Sequence, residues 1–85
     1  LSPKRQQPPL EEAYVRADEL KVIVERAEDF AWAEQNAARV RPECRLYVQP
    51  EWSVSEQVMP LLVEYVKANP RWNISIQAHK YMHIP

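Results

Sequence analysis

Leu20-Lys21-Val22-Ile23-Val24-Glu25 is the stretch that decides the fold. It is too short for a stable helix, and Val22, Ile23 and Val24 stack three β-branched side chains in a row. Such a near-continuous apolar run reads as a largely buried strand of a parallel sheet. Downstream, Phe30, Ala33, Ala37 and Val40 recur at helical spacing until Pro42 stops the pattern. Arg45 to Val48 then reads as a second strand, closed by Gln49-Pro50. Ser53-Val54-Ser55-Glu56 has capping-box spacing. The helix it would open carries the apolar stripe Val58, Leu61, Leu62, Tyr65 and Val66, with Pro60 inside it predicting a kink or a broken first turn. Asn69-Pro70 ends that helix. Trp72, Ile74, Ile76 and Ala78 alternate with Asn73, Ser75 and Gln77, which predicts a third strand.

Working upstream, Leu10, Ala13, Tyr14 and Ala17 form a short amphipathic helix with Pro9 at its first position. Leu1 would be the last residue of a further strand, with Ser2-Pro3-Lys4 just past its end. Helices alternating with strands imply βαβ crossovers, so the expected class is α/β, with three to four parallel strands.

Composition narrows what such a unit could do. The chain has 85 residues, a net charge of −1 and 46% hydrophobic residues, enough for one small domain or a piece of a larger one. That charge gives no electrostatic case for a nucleic-acid or anionic-membrane partner. No apolar run nears the ~18 residues of a membrane span, and no signal-peptide pattern is seen, so a cytoplasmic location is expected. Eight prolines and no glycine mean that turns are built by fixing φ rather than by visiting positive φ. A glycine-rich phosphate loop is excluded. Cys44 is the single cysteine, placed among alternating apolar residues, and reads as a buried strand thiol rather than an exposed nucleophile. His79 and His83 are four apart but follow a strand, where the helical metal-ligand geometry is missing.

In parallel α/β sheets, ligands bind beyond the carboxyl ends of the strands. That rule marks Ser2-Pro3-Lys4, Glu25-Arg26, Gln49-Pro50-Glu51-Trp52 and Gln77-Ala78-His79-Lys80 as polar clusters on one rim. Ordinary solvated loops after strands explain the same spacing, so no reaction class follows from it alone.

The clusters carry a resemblance. Leu1-Ser2-Pro3-Lys4, Leu46-Tyr47-Val48-Gln49-Pro50 and the run from Asn69 through Gln77-Ala78-His79-Lys80 to Ile84-Pro85 resemble the C-terminal part of the 7-carboxy-7-deazaguanine synthase family. These are radical S-adenosylmethionine enzymes of the queuosine pathway, which supplies a tRNA modification. The resemblance covers nearly the whole chain, and the Gln-x-His-Lys stretch ending on proline is its most specific element.

What it implies is the C-terminal half of a partial (β/α) barrel, residues 1–85 forming one unit without the N-terminal half that binds the [4Fe–4S] cluster through C-x3-C-x2-C. The family is a carbon–nitrogen lyase acting on 6-carboxy-5,6,7,8-tetrahydropterin with Mg²⁺ assisting, and it releases ammonia and 7-carboxy-7-deazaguanine. By the resemblance, Ser2, Pro3, Lys4, Gln49 and Pro50 would bind S-adenosylmethionine. Glu51 and Trp52 stand where the family often has Met-Asp, so they carry over only as backbone contacts. Pro85 would contact the substrate, and His79 and Lys80 fit an anion-facing role toward the pterin carboxylate. One cysteine cannot supply three cluster ligands, so no catalytic residue is assigned in this chain, which alone should be inactive and hold no cofactor tightly. A half-barrel leaves strand edges and apolar surface exposed, so a homodimer or larger assembly is expected. The rival readings are another radical enzyme, such as an activator of glycyl-radical proteins, and a non-enzymatic interaction domain.

Overall fold

The structure, a computed structural model, describes residues 1–76. Its elements run α1 (Glu11–Arg16), β1 (Glu19–Val24), α2 (Asp29–Ala37), β2 (Arg45–Pro50), a 3-10 turn (Trp52–Val54), α3 (Ser55–Ala68) and β3 (Trp72–Ile74). The strands form one sheet in the order β1-β2-β3 with both pairings parallel. The α/β class and the crossover pattern expected from the sequence are therefore present. No helix of the described residues is long and apolar enough to cross a membrane.

Register divides the side chains between two faces. Leu20 lies opposite Leu46 and Leu46 opposite Trp72, while Val22, Val48 and Ile74 make the next row and Val24 meets Pro50. Paired residues of a parallel ladder share a face, and this one is the core: Leu20, Val22, Val24, Leu46 and Val48 are fully buried. Ala33 and Ala37 of α2 and Val58 and Leu62 of α3 join the same cluster. The two helices also meet each other, with the Phe30 and Tyr65 rings stacked at 4.1 Å between centroids. Both crossovers thus lie on one side, as right-handed connections between neighbouring parallel strands require.

The other face carries Lys21, Tyr47 and Asn73 in one row, then Ile23 beside Gln49. Most of these are half-buried or exposed; Gln49 is buried.

Leu1 behaves as the expected strand residue. Its amino group donates to the Glu19 carbonyl at 2.9 Å, and Lys21 N–H donates to the Leu1 carbonyl at 2.8 Å. Those two bonds are the parallel pairing of Leu1 with Leu20, on the edge of β1 away from β2. The ladder stops there because the next residue placed to donate is Pro3, which has no N–H.

Several boundaries differ from the sequence reading. Helix α1 starts at Glu11 behind Leu10, so Pro9 lies just outside it rather than at its first position. Strand β1 begins and ends one residue earlier than expected, and α2 ends at Ala37, although Val40 beyond it is still buried. Strand β2 continues through Gln49 and Pro50 instead of closing at Val48. Pro50 is tolerated at its last position, where it needs to donate nothing.

The capping box is not formed. Ser53 sits in the 3-10 turn, its N–H taken by the Glu51 carboxylate at 3.0 Å, and α3 begins at Ser55 without a side-chain cap. Helix α3 runs through Pro60, forgoing the one backbone bond its nitrogen would give to the Glu56 carbonyl. Leu61, expected in the buried stripe, is 42% exposed.

Candidate functional site

All three strands point the same way, so Glu25, Glu51 and Ser75 leave the sheet at one rim. The first cluster there is built by the N-terminal segment. Leu1 is half-buried, Ser2 exposed, Pro3 buried and Lys4 exposed, which is the alternation of a strand lying along β1. Beyond it, Gln7 N–H donates to the Lys4 carbonyl at 3.2 Å and closes a tight turn.

That turn delivers Arg5 to α2. The Arg5 guanidinium lies 4.9 Å from the centroid of the Trp32 ring, and its Nη2 donates to Asp29 Oδ1 at 2.7 Å. The other Asp29 oxygen, Oδ2, accepts the N–H groups of Glu25 at 2.8 Å and Arg26 at 3.3 Å. One carboxylate at the start of α2 therefore fastens both the Lys4–Gln7 turn and the loop leaving β1.

Between them opens a cleft of about 670 Å³, whose walls include Lys4, Arg5, Glu25, Arg26, Asp29 and Trp32. Cations and carboxylates are mixed along it. Arg26 lies 3.7 Å from Glu25 and 4.0 Å from Glu28, in loose exposed pairs of little energetic weight. Lys4 makes no ion pair among the described residues, which leaves its ammonium available at the mouth.

The second cluster sits one strand further in. Gln49 lies opposite Ile23 and Pro50 opposite Val24, and Glu51 N–H extends the ladder by donating to the Val24 carbonyl at 2.9 Å. Gln49 is 4% exposed. Its Oε1 accepts from the Ser75 hydroxyl at 3.4 Å, which aims the amide's NH₂ group elsewhere on that face. The Glu51 carboxylate is engaged by Ser53, through both backbone N–H and hydroxyl. Both of those bonds fall on Oε2, and the Glu51 backbone is engaged as well, its carbonyl accepting the Val54 N–H at 3.2 Å. Trp52 is 40% exposed.

The two clusters share a rim but not a pocket. Gln49, Pro50, Glu51 and Trp52 are not among the cleft's walls, and two strand spacings, about 10 Å, separate the N-terminal segment from β2. Gln77, His79, Lys80 and Pro85 lie outside the described residues.

Metal chemistry finds no fit in these residues. Among the described residues no group of three His, Cys, Asp or Glu side chains is arranged to hold an ion. Cys44 is buried just before β2, at the end of the sheet opposite the rim, and burial pushes its thiol up from the ordinary range. With a single cysteine in the sequence, the several thiolates that an iron–sulfur cluster takes are not available from this chain.

Comparison with known proteins finds similar chains under one name. A 7-carboxy-7-deazaguanine synthase of Flavobacterium psychrophilum is 48% identical over all 85 residues. This chain resembles the 7-carboxy-7-deazaguanine synthases from end to end. The synthase of Synechocystis is 40% identical over 82 residues, and that of Prochlorococcus marinus 32% over 98, each match covering 96% of this chain. These matches span 40%, 39% and 43% of the respective synthases, so the chain corresponds to about two fifths of the length of its curated relatives. No family model matches it, and no solved structure does. The resemblance first seen in Ser2-Pro3-Lys4, Gln49-Pro50 and the closing segment is thereby borne out.

Asp29 is the residue that sequence reasoning missed. It was legible only as an acid in a helix first turn, a position that suits any carboxylate. Nothing local signals that its partners include Arg5, 24 positions away.

Proposed function

We propose that this chain forms the C-terminal part of a 7-carboxy-7-deazaguanine synthase and contributes the S-adenosylmethionine-facing rim of that enzyme. The observation that carries the proposal is the end-to-end likeness to three synthases of that name, up to 48% identical. The parallel sheet supports it, because Ser2-Pro3-Lys4 and Gln49-Pro50 lie at the carboxyl ends of strands, where α/β folds bind ligands.

In this reading the whole enzyme converts 6-carboxy-5,6,7,8-tetrahydropterin to 7-carboxy-7-deazaguanine with loss of ammonia, within a partial (β/α) barrel of radical S-adenosylmethionine type. S-adenosylmethionine, when bound, supplies the radical that starts the ring contraction. The residues of this chain bind and orient it. The Ser2 hydroxyl and Lys4 ammonium are exposed and unpaired by other charges, suited to ribose hydroxyls and to a carboxylate. Gln49, held by Ser75, presents an amide with fixed orientation. Pro50 and Glu51 stand beside it at the strand end. His79, Lys80 and Pro85 would face the pterin. The iron–sulfur cluster would be held by residues outside this chain, since one cysteine cannot supply its thiolates, and by the resemblance Mg²⁺ would be held near that cluster.

The test is to express the whole enzyme, load it anaerobically and supply 6-carboxy-5,6,7,8-tetrahydropterin. Formation of 7-carboxy-7-deazaguanine, with Ser2→Ala and Gln49→Ala each raising the S-adenosylmethionine requirement, is the expected result. An enzyme that leaves the pterin untouched, or variants with unaltered cofactor requirement, would refute it.

A further inference from the structure

The segment that ends in Ser2-Pro3-Lys4 is weakly tied to the sheet. Its ladder bonds stop at Leu1, because Pro3 cannot donate. Beyond that, one 3.2 Å backbone bond closes the Lys4–Gln7 turn on itself and ties it to nothing else. Apart from the packing of buried Pro3, what connects the turn to the rest of the rim is the Arg5 side chain. Its guanidinium is held on two sides, by the Asp29 carboxylate at 2.7 Å and by the Trp32 ring at 4.9 Å, both carried by α2.

Asp29 is unusual among the acids of the chain. Its side chain is 13% exposed, and both oxygens are occupied by donors from outside its own helix: Arg5 on one, the Glu25 and Arg26 amides on the other. An acid that only complemented the helix dipole would stay solvated and bind its own first-turn amides. This one instead joins the two chain segments that wall the cleft, and a planar guanidinium fixes direction as well as distance.

We infer that Asp29 is a positioning residue for S-adenosylmethionine binding, acting through Arg5 to hold the Ser2-Pro3-Lys4 segment, with Lys4 at the cleft wall. The inference rests on the reading that Ser2-Pro3-Lys4 contacts S-adenosylmethionine. Loss of either partner leaves the ligand-facing atoms in place chemically but lets the turn move, so affinity falls while chemistry at saturation does not. Without Arg5, the part of the Asp29 effect that runs through the Lys4–Gln7 turn disappears.

The experiment uses the whole, cofactor-loaded enzyme, with the dissociation constant of S-adenosylmethionine measured by equilibrium dialysis, alongside kcat and the thermal midpoint. Arg5→Ala and Asp29→Asn are each expected to weaken binding about tenfold, with kcat at saturation within about twofold. The double variant should be no weaker than the poorer single variant, since contacting residues that act as a unit are not additive. Arg5→Lys, which keeps the charge but not the fork, should recover part of the loss.

Unchanged affinity in Arg5→Ala, or a double variant weaker by the product of the two single effects, would overturn the inference. Should Asp29→Asn fail to fold, Arg5→Ala decides alone, because that side chain is 53% exposed and its truncation leaves the core intact. Ser2→Ala separates the two levels. If it weakens binding and the Arg5 and Asp29 variants do not, only the positioning role falls; if Ser2→Ala has no effect, the cofactor reading of the turn falls and takes this inference with it.

Discussion

Replacing Glu34 with alanine should destabilise the chain far more than an exposed helix residue normally would. The Glu34 carboxylate on α2 accepts Trp72 Nε1–H at 2.9 Å and also the Tyr65 hydroxyl. It thereby links α2, α3 and β3 across a ring cluster in which Phe30 stacks on Tyr65 and Tyr65 meets Trp72 edge-on at 6.4 Å. Trp72 is 2% exposed, so its indole N–H loses its partner when Glu34 is truncated, and such an orphan costs about 1–3 kcal/mol. Tyr65 is only half-buried, and its hydroxyl can turn to water, which limits the second loss to about 1 kcal/mol. The expected sum for Glu34→Ala is about 2–3 kcal/mol. In a domain this small that corresponds to a fall in Tm of roughly 10–20 °C. Glu34→Gln keeps an acceptor and should lose about 1 kcal/mol. Urea denaturation followed by tryptophan fluorescence and far-UV circular dichroism reads both, with m unchanged if the effect is on the folded state. Adding Trp72→Phe to Glu34→Ala removes the orphaned donor and should recover part of the loss. A Glu34→Ala midpoint indistinguishable from wild type would refute the reasoning, since it would mean that the indole N–H never depended on this carboxylate.

Three further outcomes are expected. The Tyr65 hydroxyl is pushed well above its ordinary range, by burial first and then by the neighbouring Glu34 carboxylate; the unfolded chain therefore releases that proton first, and stability should be constant below about pH 10 and decline above it, a decline that Tyr65→Phe removes in alkaline melts. Cys44, buried and with its thiol pushed up, should react with a disulfide reagent at pH 8 only as fast as the chain opens; rapid labelling of the folded protein would contradict its place in the core. The 85-residue chain reconstituted anaerobically with iron and sulfide should stay colourless and cleave no S-adenosylmethionine, because a cluster needs several thiolates; a brown protein that forms 5′-deoxyadenosine would overturn the view that cluster binding lies outside this chain.

The strands were legible because their signal is local. Val22-Ile23-Val24 and Leu46-Tyr47-Val48 state their conformation by β-branching and length, and Trp72-Asn73-Ile74 by alternation. The parallel arrangement followed from the helical spacers between them. Errors fell where a side chain chose between two backbone partners. Ser53 and Glu56 have the right spacing for a capping box, but Glu51 is closer to the Ser53 N–H and takes it, which winds residues 52–54 into a 3-10 turn and moves the helix start to Ser55. Gln49 was read as a loop residue because glutamine followed by proline usually closes a strand. Here Pro50, at the end of β2, costs no ladder bond, and both residues stay in the sheet.

The rim shows the same division between local and distant information. Ser2, Lys4 and Gln49 could be nominated without coordinates, because strand ends in parallel sheets are where backbone groups and polar side chains converge. Which of their neighbours fix them in place could not. Arg5 lies next to Lys4 in sequence and reads as one more solvated cation, while Asp29 reads as one more first-turn acid. Their bond depends on α2 packing over β1, and hence on Ala33 and Ala37 being small enough for the helix to approach Leu20 and Val22. With the helices held on that face, Trp32 and Asp29 stand at the end of α2 nearest the carboxyl rim, under the turn that Arg5 occupies. The opposite face, free of both helices, keeps Lys21, Tyr47 and Asn73 in one row. Two side chains on that face are oriented by hydrogen bonds to the sheet's own residues: Gln49, buried, accepts from Ser75, and Asn73 donates to the Leu46 carbonyl.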